Sequence, residues 1–129
     1  MNENFGSMFV SEQPQDGQFE SSAVSMARID DILPHNLPIH FVKMDVEGAE
    51  IHALRGMAGI LERYHPTIVI ELNELALKRE HGSAAEELIE LLKGFSYNIR
   101  EIGSNREFAL PAYHDGYLLT SLVCTPHAY

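Results

Sequence analysis

The chain reads as an α/β protein built on a partly parallel sheet, and three observations predict this. Residues 39–44 (IHFVKM) and 67–72 (TIVIEL) are short apolar runs with little polar alternation, as in strands covered on both faces. Between them Ile51, Leu54, Ala58 and Leu61 recur at helical spacing, and Leu88, Ile89, Leu91 and Leu92 form a second such face. The resulting order, strand-helix-strand-helix-strand, belongs to the α/β class.

Residues 1–23 are rich in Ser, Gln, Glu and Gly with few apolar anchors, and residues 11–18 are expected to be loop or disordered. Asp30 is placed to cap a short helix over 31–33, which Pro34 ends, because the residue before a proline avoids helical dihedrals. Residues 34–38 form a connector. Residues 41–45 are too apolar to face water on one side and are expected to form a buried parallel strand. A helix then starts near Gly48 and runs through Leu61, with a break near Gly56, since Gly56 and Gly59 each weaken it by about 1 kcal/mol relative to alanine. Residues 67–72 are the second buried strand. Ser83-Ala84-Ala85-Glu86 matches a capping box, and Gly94 is the expected stop of the helix that follows. Residues 97–102 alternate polar and apolar, as an edge strand does. Residues 117–124 read as the last strand.

The 129 residues suit one domain, and a hydrophobic content of 45% is ordinary for a globular chain. A formal net charge of −10, with basic residues scattered, argues against nucleic-acid phosphates and anionic membrane surfaces as partners. No stretch approaches the roughly 20 apolar residues of a membrane span. Cys124 is the only cysteine, which excludes an internal disulfide and fits a reducing compartment. A cytoplasmic protein is the expectation.

The most informative stretch is Lys43-Met44-Asp45-Val46-Glu47-Gly48-Ala49-Glu50. It places three carboxylates where a strand ends and a helix begins, the position at which open α/β sheets bind ligands. Asp45, at the strand tip, is the first candidate for chemistry. Glu47 and Glu50 equally suit an acidic first helical turn that offsets the helix dipole. Glu71 nearly ends the second strand, so if the two strands are neighbours, Asp45 and Glu71 face one cleft. Asn73 points to the same side as Glu71, with a loop cap as its plainer role. Lys43, in a strand expected to be buried, needs a partner, and an ion pair with Glu71 is the alternative to a catalytic role for that acid. The seven histidines show no ligand spacing, and Cys124 reads as core. Tyr113, His114 and Asp115 form a polar loop before the last strand.

The octapeptide, followed by Leu54-Arg55-Gly56-Met57 and Pro66-Thr67-Ile68-Val69-Ile70-Glu71, resembles the second half of FkbM-type S-adenosylmethionine-dependent methyltransferases. Asn4-Phe5-Gly6-Ser7 and Arg28-Ile29-Asp30-Asp31-Ile32-Leu33 are weaker matches to the same family. The resemblance implies the second half of a Rossmann-like class I methyltransferase sheet. Its late strand would insert antiparallel between the second and third strands, with residues 24–129 as the half-domain. It implies S-adenosylmethionine as cofactor and O-methylation of a small hydroxyl-bearing molecule, such as a sugar or natural product. Asp45, Glu71 and Glu47 would be the catalytic or positioning acids, and Glu50, Asn73 and Lys43 would lie on the substrate side. Oxygen ligands such as Asp45, Glu71 and Asn73 also suit magnesium, although the resemblance itself implies no metal. None of the glycines forms a Gly-x-Gly-x-Gly turn, so by resemblance the chain begins after the third strand and most of the cofactor half falls outside it. The alternative is a non-catalytic interaction subunit or remnant that pairs with a chain supplying that half. In either case the edge of the first strand is expected to recruit a second copy or a partner chain.

Overall fold

The computed structural model describes residues 22–82, 84–111 and 117–127. The chain forms α1 (Ile29–Ile32), β1 (Phe41–Met44), α2 (Glu50–Gly56), α3 (Ala58–Tyr64), β2 (Thr67–Asn73), α4 (Glu74–His81), α5 (Ala85–Gly94), β3 (Tyr97–Glu101) and β4 (Leu119–Pro126). The strands make one open four-stranded sheet in the order β1-β2-β4-β3. β1 and β2 are parallel, with Lys43 beside Val69 and Met44 beside Ile70. β4 runs antiparallel to both β2 and β3, so the last strand lies between the second and third, where the resemblance put it.

Period-two alternation sorts the sheet into two faces. Met44, Ile68, Ile70, Leu72, Leu122, Cys124, Tyr97 and Ile99 are buried in one cluster with Ile51, Leu54, Leu61, Leu77, Leu88 and Leu92 from the helices. The intervening residues, among them Phe41, Lys43, Val69, Glu71, Asn98, Arg100 and Ser121, are exposed or half-buried. The described helices therefore cover one face only. This corrects the expectation of a buried first strand: β1 ends the sheet, its parallel pairing with β2 is as expected, but Phe41 is 58% exposed. Apolar content alone could not distinguish a strand covered on two faces from one covered on a single face at a sheet edge.

Local capping explains several boundaries. The long amphipathic segment breaks at Met57 into α2 and α3, one residue after Gly56. Asp30 does cap a helix, but a distant one. Its carboxylate accepts from the backbone N–H groups of Gly59 and Ile60 at 2.9 and 3.1 Å, satisfying donors in the first turn of α3. A side chain at Gly59 would press on that carboxylate at 3.3 Å. The N-cap of α5 is Ala84, with no side-chain hydrogen bond, in place of the expected capping box; Ser83 lies outside the described residues. Residues 1–21 and 112–116 also lie outside them, and with them the lead-in and the Tyr113-His114-Asp115 segment.

Leu54 is fully buried in the middle of α2. Leu54→Ala is expected to destabilise the fold by about 2–5 kcal/mol through lost burial and a residual cavity. Urea unfolding measures it, and a change within about 0.5 kcal/mol would place Leu54 at the surface.

Candidate functional site

β1 and β2 are adjacent and parallel, so their carboxyl ends deliver side chains to one place. Met44 pairs with Ile70, and the next residues on the two strands are Asp45 and Glu71. Asp45, Glu47 and Glu71 each offer a carboxylate oxygen within 4.8 Å of the others. Asp45 is exposed, and Glu47 and Glu71 are half-buried. At that separation an ionised pair repels by about 3 kcal/mol or more at an effective dielectric near 20. Partial burial pushes the Glu71 carboxyl up, and the charges of Asp45, Glu47 and Glu50, together with a hydrogen bond to Asp45, push it further.

The turn between β1 and α2 makes this clustering possible. Glu47 and Gly48 both have positive φ, +52° and +104°, which reverses the chain within two residues and delays the helix to Glu50. Glu47 is a non-glycine residue in the left-handed region, a conformation that costs about 1–2 kcal/mol. Gly48 lies against α4: a Cβ there would sit 2.5 Å from the Ala76 carbonyl oxygen and 3.1 Å from the Glu80 Cγ. The glycine therefore serves the close approach of turn and helix.

Glu50 is not the surface acid that its place in a first helical turn suggests. It is 1% exposed, and its Oε1 accepts from the Val46 N–H at 3.3 Å. Its Oε2 is buried with no hydrogen-bond donor among the described residues. Burial is the main cause raising the Glu50 carboxyl above the ordinary range, and the Glu47 charge adds to it, while backbone N–H groups of the turn oppose it. A folded pKa above the unfolded value means that this contribution to stability is complete below the ordinary carboxyl range. It is lost as pH rises through the folded pKa. Glu50→Gln keeps the oxygen that faces Val46 and removes the charge. It is expected to raise Tm by a few degrees at pH 7, with the difference vanishing toward pH 4. Thermal melts across that range measure it, and a variant that melts lower than wild type at pH 7 would contradict it.

The other expected site residues divide. Asn73 lies on the same face as Glu71, but its Oδ1 accepts from the Ala76 N–H at 3.1 Å and caps α4. Lys43 is exposed, and no ion pair joins it to Glu71 among the described residues, so the structural alternative for Glu71 is not formed. α4 itself was not legible: only Ala76 and Leu77 give it a buried apolar side, and adjacent positions carry no helical period. Its signals were the cap at Asn73 and the left-handed C-cap at Gly82, φ +63°. Two clefts lie elsewhere. One of about 220 Å³ is lined by Asp30, Leu33, Arg63 and Tyr64, and one of about 420 Å³ lies between α5 and residues 107–110; neither is lined by the clustered acids.

Residues 2–99 match the model of the Methyltransferase FkbM domain, which is most of the chain. The chain belongs to the FkbM methyltransferase family. The match reaches back over the Asn4–Ser7 segment and forward into β3, taking in every strand-end acid described above. The open mixed sheet is compatible with a methyltransferase-like fold. No curated protein and no solved structure matches the chain. No helix among the described residues is long and apolar enough to cross a membrane.

Membership in the FkbM family implies an S-adenosylmethionine-type cofactor. The described residues do not fit it. Among the described residues the glycine at a strand-to-helix turn is Gly48, and the space beside its Cα is taken by the α4 backbone.

Proposed function

We propose that this FkbM-domain chain supplies the acceptor side of an S-adenosylmethionine-dependent O-methylation, taking a hydroxyl of a small molecule such as a sugar or natural product. The observation that carries the reading is the convergence of Asp45, Glu47 and Glu71 at the carboxyl ends of two parallel strands. Carboxylates there accept a hydrogen bond from a hydroxyl and fix the direction of its lone pairs. Such alignment supplies a large part of the acceleration of a displacement. Asp45, exposed at the strand tip, is positioned to accept the proton of that hydroxyl as a general base, a role worth roughly 10²–10⁴-fold. Glu71 and Glu47 hold the hydroxyl from the other sides. Glu50 supports the turn from behind, and Lys43 and Asn73 stand at the margin.

A second reading has its own support. With no Gly-x-Gly-x-Gly turn in the sequence and β1 at the end of the sheet with Phe41 and Lys43 exposed among the described residues, the chain also suits a binding subunit that acts with a chain carrying the cofactor half. The two separate on cofactor affinity. The isolated chain is expected to bind S-adenosylmethionine weakly or not at all in titration calorimetry.

Acceptor binding is tested on the same protein by amide NMR shifts against a panel of monosaccharides and phenols. Shifts concentrated at residues 45–50 and 71–73 are expected for at least one hydroxyl compound. Shifts confined to other surfaces, or none across the panel, would overturn the reading.

A further inference from the structure

We infer that Asp45, Glu47 and Glu71 form a site for a hard divalent cation of the magnesium or manganese class. The first observation is geometric. Three carboxylates from two strand ends and one turn bring an oxygen each within 4.8 Å of one another, a separation that a single small cation can span. All three are carboxyl groups, the hard oxygen donors that such cations take. Asp45 is exposed, which leaves open positions on the cation for the waters that magnesium retains.

The second observation is Glu50. It is 99% removed from solvent, and its Oε2 has no donor among the described residues. Its Oε1 rests on the N–H of Val46, the residue between Asp45 and Glu47, so the carboxylate hangs inside the turn that joins two of the three ligands. It lies close enough to feel the charge of Glu47, and its own charge reaches Glu71. A buried, unpaired carboxylate oxygen is costly unless positive charge stands nearby. Among the described residues no salt bridge reaches Glu50. The ion pairs of Arg28, Arg55, Lys78 and Arg79 are made with Asp30, Glu87, Glu74 and Glu80, none of them in this group, and Lys43 is exposed. A divalent cation neutralises the three ligands directly and gives Glu50 its counter-charge from behind them.

The inference shares residues with the proposed acceptor site but does not depend on methyl transfer, and its test uses no acceptor and no methyl donor. Manganese is the probe, followed by electron paramagnetic resonance on the purified chain at neutral pH, with magnesium as competitor. One bound manganese per chain is expected, displaced by excess magnesium. Glu47→Gln is expected to weaken binding on the order of tenfold or more, because it removes a ligand. Glu62→Gln, on an exposed position of α3, is expected to leave it unchanged. Thermal melts guard against a folding artefact: the cation raises the Tm of wild type and of Glu62→Gln but not of Glu47→Gln. Absence of stoichiometric binding, or equal weakening by both substitutions, would overturn the site and mark the cluster as a general acidic surface.

Discussion

Gly48→Ala is expected to cost the fold about 3–5 kcal/mol and to dismantle the acidic turn with it. Two effects add at this position. Its φ of +104° lies in a region that residues with a Cβ rarely adopt, a strain of about 1–3 kcal/mol. The new methyl would also meet the Ala76 carbonyl oxygen at 2.5 Å and its carbon at 2.7 Å. Both are backbone atoms and neither can rotate away, so α4 must shift at an overpacking cost of about 1–3 kcal/mol. Because α4 follows β2 without a break, that shift moves Glu71 as well as the turn. Denaturant unfolding measures the loss, and amide NMR shows whether residues 45–50 have moved. A loss below about 1 kcal/mol would mean that turn and helix are free to separate.

Asp45→Asn is expected to lower methyl transfer by roughly 10²–10⁴-fold in any preparation competent for it, with little change in stability. Asparagine preserves the size and the hydrogen-bonding oxygen of the side chain but removes its capacity to take a proton. The side chain is exposed and stands among Glu47 and Glu71, so losing its charge relieves repulsion in the folded state. Turnover and Tm measured together decide the matter. Wild-type turnover in the variant would remove Asp45 from the chemistry, whereas parallel loss of Tm and turnover would make it a structural residue.

The strands were legible because their apolar runs are short, β-branched and bounded by turns. All four lie within two or three residues of the positions read from sequence, and the break after Gly56 followed from helix propensity alone. The same periodicity named the buried side of α5, with Leu88, Ile89 and Leu92 in the core. It failed for α4, whose eight residues after β2 bunch their apolar side chains at 75–77 and carry no apolar stripe. Local capping rules misassigned the partner of Asp30, since a carboxylate can cap any helix end within reach, and the N–H it accepts from belongs to Gly59, 29 residues away.

The sequence by itself determined the family, the α/β class and the two strand tips at which Asp45 and Glu71 stand, because those follow from local pattern and a short motif. Only the tertiary structure decided what joins them. Parallel pairing of β1 with β2 brings residues 26 positions apart to neighbouring strand ends, and no local signal carries that register. Packing of α4 on Gly48 and closure of the turn over Glu50 turned an apparent surface acid into a buried one. Burial depends on which elements cover a position, and that is set by the whole chain. The charge pattern could be read from the residues; the desolvation that gives it chemical force arose only when the sheet and its helices came together.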